Sequence, residues 1–78
     1  MSYSSHYKKY CEKNNINIDY KFINWIDKIE NIVLTKTNFH LLDIQDEDYM
    51  TFYEQNMSSN NVANYVIYQI QQSCLNIF

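Results

Sequence analysis

The chain contains neither glycine nor proline, and this absence constrains its fold more than any motif does. Tight turns and the edges of sheets depend most on these two residues. A chain of 78 residues without them must turn with asparagine, aspartate and serine, which helical folds tolerate best. The sequence therefore predicts an all-α fold, a small bundle of three to four helices.

The length allows one domain, residues 1–78, with one core. Hydrophobic residues make up 46% and aromatic residues 17% of the chain, which favours a folded domain over a disordered one. Arginine is absent and Ala63 is the only alanine, whereas Asn, Ile, Tyr and Lys, whose codons are AT-rich, are abundant. This bias predicts an AT-rich source, such as a giant DNA virus of protists, a protist or an endosymbiont.

Charge and hydropathy exclude several classes of protein. The net charge is −3 and no short window is basic, so nucleic-acid binding is not expected. No signal peptide or membrane-spanning stretch is recognisable, which predicts a soluble intracellular protein, in the host cytoplasm or the virion if viral. Cys11 and Cys74, in a chain without a secretory signal, are expected to be reduced.

The apolar periodicity predicts four helical segments, at about residues 4–13, 18–36, 46–55 and 58–74. Asn17 or Asp19 is the expected N-cap of the second segment, and Ser58 or Ser59 that of the fourth. The stretch between the second and third segments is irregular and is expected to tuck its apolar side chains under the helices. The expected inward residues of the last helix are Val62, Ala63, Val66, Ile67 and Ile70.

The second segment is the clearest amphipathic helix. We expect Trp25 at the centre of the domain, with its helix antiparallel to the last helix and the third segment crossing both. The apolar face consists of Phe22, Trp25, Ile26, Ile29, Ile32 and Val33. The side chains expected to be solvated are Lys21, Asp27, Lys28 and Glu30.

Residues 22–67 contain a series of short motifs in a characteristic order. They are the helix Trp25 to Val33, Thr37-Asn38, Leu42-Asp43-Ile44, Asp48-Tyr49, Tyr53-Glu54-Gln55-Asn56, and Met57-Ser58 with Ala63. In order and spacing these motifs resemble those of a family of small uncharacterised helical proteins of bacteria and viruses. Asn38 and Asn56 stand where the family has glycine, so both are expected in the left-handed backbone conformation. The resemblance implies a compact helical domain with a partner-binding role, and it transfers no functional residue.

Two groups of residues have side chains that could bind a metal ion, but their spacing in the sequence does not match known metal sites. The acidic patch Asp43, Asp46, Glu47 and Asp48 lacks the register of a calcium loop and is interpreted as helix capping, with partner binding as the alternative. The set His6, Cys11, His40 and Cys74 lacks the close pairs of zinc ligands, and nothing marks a cysteine nucleophile. We therefore expect no metal, no cofactor and no enzymatic activity.

The eight tyrosines exceed what a small core needs. Tyrosine is enriched at protein interfaces, although codon bias explains the excess equally well. The candidate interface consists of Tyr3, Tyr7, Tyr10, Tyr65, Tyr68 and the apolar tail Leu75, Ile77 and Phe78. We therefore expect a non-enzymatic protein–protein interaction module of viral origin that forms a homodimer. The alternative is a regulatory or nucleic-acid-associated helical protein acting through an acidic surface.

Overall fold

A computed structural model describes residues 2–44 and 46–75, with side chains as far as Gln72. These residues form four α-helices and one short 3-10 helix, and the described ranges contain no strand. The helices are α1 (Tyr3–Lys13), α2 (Tyr20–Thr37), α3 (Tyr49–Glu54) and α4 (Ser59–Leu75), and the 3-10 helix spans Leu41–Asp43. The predicted all-α fold is confirmed, although α3 begins after the acidic run rather than within it.

Polar side chains at each helix start explain where the helices begin. The first backbone N–H groups of a helix have no partner within the helix, and a preceding Ser or Asp oxygen can accept from them. Asp19 accepts from Lys21 N–H at 3.0 Å and from Phe22 N–H at 3.1 Å, so Asp19 rather than Asn17 caps α2. Ser58 accepts from Asn61 N–H at 3.1 Å and starts α4.

Three asparagines replace the glycines that usually follow helices. Asn15, Asn38 and Asn56 have φ angles of 56°, 62° and 61°, in the left-handed region that disfavours most residues with a Cβ. Asparagine is the residue other than glycine that adopts this conformation most readily. The predicted left-handed backbone at Asn38 and Asn56 is confirmed, and Asn15 shares it.

Substitution of these asparagines tests the left-handed conformation directly. Asn38→Gly and Asn56→Gly are expected to leave the free energy of unfolding unchanged or slightly higher, because glycine adopts positive φ without strain. Asn38→Val and Asn56→Val are expected to lower it by about 1–2 kcal/mol each. Urea unfolding of the four variants measures the difference. A valine variant as stable as its glycine counterpart would contradict the assignment.

The contacts between helices give their relative directions. Tyr3 N–H at the start of α1 donates to Glu30 of α2, and the Tyr7 hydroxyl accepts from Asp19 N–H at 3.1 Å, just before α2. As α1 advances, its contacts therefore move back along α2, and the two helices are antiparallel. α3 follows the same direction as α1, since Tyr49 packs on Tyr3 and the later Tyr53 packs on Phe22.

The direction of α4 corrects the sequence-based prediction. Trp25 Nε1–H donates to the Met57 carbonyl at 2.9 Å, which places the start of α4 beside the first half of α2. An antiparallel partner would start near the other end of α2. The most extensive contacts between helices are those of α2 with α4, so from this starting point α4 runs along the rest of α2 in the same general direction. The predicted antiparallel pairing is wrong, because α3 already makes the return crossing.

The core lies mainly between α2 and α4, with Cys11, Leu41 and Tyr49 buried around it. Trp25 is half-buried and packs at the edge of this cluster rather than at its centre, where Phe22 and Ile26 lie. The segment between α2 and α3 was expected to tuck its apolar side chains under the helices. This holds only in part, since Leu41 is buried whereas Phe39 and Leu42 are exposed. The predicted inward side chains of α4 are buried or packed against the core.

Candidate functional site

Glu30 is buried, with 6% of its surface exposed, and the expectation that it is solvated is wrong. Its Oε1 accepts from Tyr3 N–H at 3.2 Å and its Oε2 accepts from Leu41 N–H at 2.9 Å. Both donors are the first N–H groups of helical segments, where a negative charge is favourable. This arrangement, which we call the Glu30 bridge, ties α1 and the 3-10 helix to α2.

The groups around the Glu30 carboxylate indicate that it stabilises the fold rather than binding a ligand. His40 Nδ1 lies 3.8 Å from Glu30 Oε2 and has no hydrogen-bond partner among the described residues. A shallow groove of about 300 Å³ beside it is lined by Ser2, Asp27, Glu30, Asn31, Leu34 and His40. Because the Glu30 oxygens already accept from backbone donors, the carboxylate stabilises the fold without needing a ligand.

A signal for Glu30 was present in the sequence. Glu30 follows Ile26 by four residues and precedes Val33 by three, so it lies on the apolar face of α2. A carboxylate in that position must be paired or hydrogen-bonded if it is buried. Its hydrogen-bond donors were not predictable, because they come from two distant segments of the chain.

Tyr49 is the largest fully buried side chain, and its hydroxyl has no hydrogen-bond partner among the described residues. Burial, reinforced by the nearby carboxylate of Glu47, raises the pKa of the Tyr49 phenol far above its ordinary value. Burial also raises the pKa of Tyr3, whose ring packs edge-on against Tyr49 at 5.1 Å between centroids. Tyr49 therefore belongs to the interior of the molecule, and the half-buried Tyr3 packs over it at the edge of the core.

Tyr49→Phe is expected to raise the free energy of unfolding by about 1 kcal/mol, because it removes a buried hydroxyl that lacks a partner. In the unsubstituted protein stability is also expected to fall as the pH rises above about 10, since the unfolded chain releases the Tyr49 proton before the folded one does. The variant should show a shallower fall. Urea unfolding at neutral and alkaline pH measures both effects, and a less stable variant would contradict the account.

The acidic patch lies around the start of α3 and is partly engaged in capping. Asp48 accepts from Thr51 N–H at 3.3 Å, and Asp43 accepts from His40 N–H at 3.3 Å. The side chain of Glu47 is half-buried, and Asp46 is exposed. The capping interpretation is confirmed for Asp43 and Asp48, but both residues are also exposed, so the acidic-surface alternative stays a prediction.

The tyrosines of the candidate interface divide into two groups. Tyr3 and Tyr7 are half-buried and pack against the core, so little of either is free to meet a partner. Tyr10, Tyr65 and Tyr68 are exposed at 56%, 41% and 56%. The predicted contribution of the apolar tail to an interface is not tested, because Ile77, Phe78 and the side chain of Leu75 lie outside the described residues.

The outward face of α4 differs from the rest of the surface in its charge. All nine acidic and all six lysine side chains lie within residues 1–54, so α4 has no charged residue. The exposed side chains along one side of the helix, here called the outer stripe, are Asn61, Asn64, Tyr65, Tyr68 and Gln71. Phe52 of α3 lies beside this stripe, with its ring 5.8 Å from that of Tyr65. The sequence shows the charge segregation, but only the fold shows that these residues are exposed.

The histidines and cysteines are not assembled into a metal site in the part of the chain that is described. Cys11 is a buried free thiol, His6 is exposed, and the side chain of Cys74 lies outside the described residues. Among the described residues, no three His, Cys, Asp or Glu side chains come together as metal ligands. Nor does any described helix have the length and apolar character that crossing a membrane requires.

Comparisons with protein families, with curated proteins and with solved structures gave no match to this chain. The resemblance to small helical proteins of bacteria and viruses therefore stays a prediction. The site must be interpreted from its own residues, of which the outer stripe is the most distinctive exposed feature.

Proposed function

We propose that this protein is a non-enzymatic protein–protein interaction module that binds through the outer stripe of α4. The observation that carries the proposal is the absence of charge from an exposed helix face that includes Tyr65 and Tyr68. The centres of protein interfaces are depleted in charged residues and enriched in tyrosine. Helix faces that meet only water are normally rich in charged residues.

The other long helices support this contrast. α1 exposes Lys8 and Lys9, and α2 exposes Lys21 and Lys28, as solvated helices usually do. The AT-rich codon bias does not explain the difference, because lysine codons are also AT-rich and yet no lysine follows Lys36. Asparagine and tyrosine are weaker helix formers than lysine or glutamate, so solvation alone does not favour them here.

Photo-cross-linking from a single position tests the proposal. A benzophenone amino acid at position 68, replacing Tyr68, is expected to give a discrete cross-linked product in cells that produce the protein. The matched control is the same amino acid in place of Tyr20, which is 64% exposed at the start of α2. The control is expected to give no discrete product.

Two further results decide the outcome. Introducing Asn64→Lys into the protein labelled at position 68 should abolish the product, because the charge lies on the same stripe. No product from position 68, or the same products from both positions, would contradict the proposal. The mass of the cross-linked product identifies the partner, but the proposed function is tested only by whether a product specific to position 68 forms.

A further inference from the structure

We infer that the partner of the outer stripe is a second copy of this chain, bound so that the two α4 helices face each other across a twofold axis. This inference rests on the proposed function and names the partner of the same surface. Two observations support the inference: the hydrogen-bonding groups of the exposed residues and the distribution of charge in the molecule.

The side chains of the outer stripe are complementary to themselves. A twofold contact places the same surface patch on both sides, so each residue meets another residue of the same patch, and residues near the axis meet their own copy. The amides of Asn61, Asn64 and Gln71 and the hydroxyls of Tyr65 and Tyr68 each contain a hydrogen-bond donor and an acceptor. Two such stripes can therefore satisfy each other, which a stripe of lysines or of glutamates cannot do.

The charge distribution also favours a second copy. Each chain has a net charge of −3, so two copies repel each other through most of their surfaces. That repulsion is weakest where the charge-free faces of α4 meet, because the charges of both copies then lie outside the contact and are screened over about 8–10 Å. A strongly charged partner would gain nothing from a stripe that has no opposite charge.

The size of the stripe sets the strength of the contact. Asn61 and Gln71 are separated by about 15 Å along the helix axis, from the rise of 1.5 Å per residue. A patch about 15 Å long and one helix, roughly 10 Å, wide, with Phe52 at its edge, falls short of the roughly 800 Å² per partner of a typical stable interface. We therefore expect a reversible dimer with a dissociation constant in the micromolar range or weaker, about 1 μM to 1 mM.

Charge pairing at Asn64 tests the inference with purified protein. Asn64 lies near the middle of the stripe, so in a twofold dimer it is close to its counterpart. Asn64→Lys and Asn64→Glu, each alone, are expected to dissociate at concentrations where the unsubstituted protein is dimeric. An equal mixture of the two variants is expected to form a heterodimer, which native mass spectrometry resolves from the homodimers.

Asn24 provides the matched control, because it is an exposed asparagine within α2 that lies outside the stripe. Asn24→Lys and Asn24→Glu should each dimerise as the unsubstituted protein does. Failure of the Asn64 mixture to associate, or equal effects at both positions, would overturn the inference. A discrete cross-link from position 68 to a different protein would overturn it too, yet would leave the proposed function in place. Circular dichroism of each variant checks that the helices are intact.

Discussion

Replacement of Glu30 by alanine is expected to lower the free energy of unfolding by about 3–5 kcal/mol. The substitution leaves the N–H groups of Tyr3 and Leu41 without their carboxylate acceptor, and each lost charged hydrogen bond costs more than a neutral one. A domain of this length has a total stability of roughly 4–12 kcal/mol, so the loss is a large part of it. Urea unfolding at neutral pH measures the change.

Two variants separate the Glu30 bridge from a general effect of charge. Glu30→Gln keeps one acceptor oxygen and is expected to lose about half as much stability as Glu30→Ala, about 1.5–2.5 kcal/mol. Asp27→Ala removes a carboxylate from the same helix that accepts no described hydrogen bond, and it should change stability by less than about 0.5 kcal/mol. Equal losses in the Glu30→Ala and Asp27→Ala variants would show that the bridge does not hold the segments together.

Phe22→Ala is expected to destabilise the protein by about 3–5 kcal/mol, and more than Trp25→Ala does. Phe22 is 1% exposed, and its ring lies within 4.8–5.9 Å of the rings of Tyr7, Trp25 and Tyr53. Trp25 is half-buried at the edge of that cluster, so its removal leaves a smaller cavity. Thermal and urea unfolding of both variants measure which substitution causes the larger loss of stability.

Trp25→Phe isolates the indole hydrogen bond from the packing of the ring. It retains an aromatic ring against Tyr53 but loses the donor to the Met57 carbonyl, so about 1 kcal/mol of stability should be lost. If Trp25→Ala proved more damaging than Phe22→Ala, the sequence-based placement of Trp25 at the centre would be right and the fold described above would be wrong.

Local features of this fold could be predicted from the sequence because they depend on neighbouring residues. The apolar spacing from Phe22 to Val33 fixes one face of α2, and the positions of Asn38 and Asn56 after helical segments fix where the backbone turns. The capping by Asp48 and Ser58 follows from the same local rules.

The remaining features depend on contacts between distant segments. A helical pattern shows which face is buried but not which way the helix runs, so the direction of α4 became clear only from the contact between Trp25 and Met57 together with its packing along α2. The burial of Glu30 depends on donors at Tyr3 and Leu41 that no local pattern brings together. Likewise, Tyr65 and Tyr68 were candidate interface residues from the sequence, but only the fold shows that they are exposed whereas Tyr3 and Tyr7 pack against the core.

Sedimentation equilibrium of the unsubstituted protein tests the central claim, self-association through α4, most directly. Over roughly 10 μM to 1 mM, the range in which a small interface dissociates, the average mass should rise with concentration. It should approach about 19 kDa, twice the 9.5 kDa of one chain, and no further. A mass that stays at 9.5 kDa throughout this range, or one that rises without limit, would contradict the account.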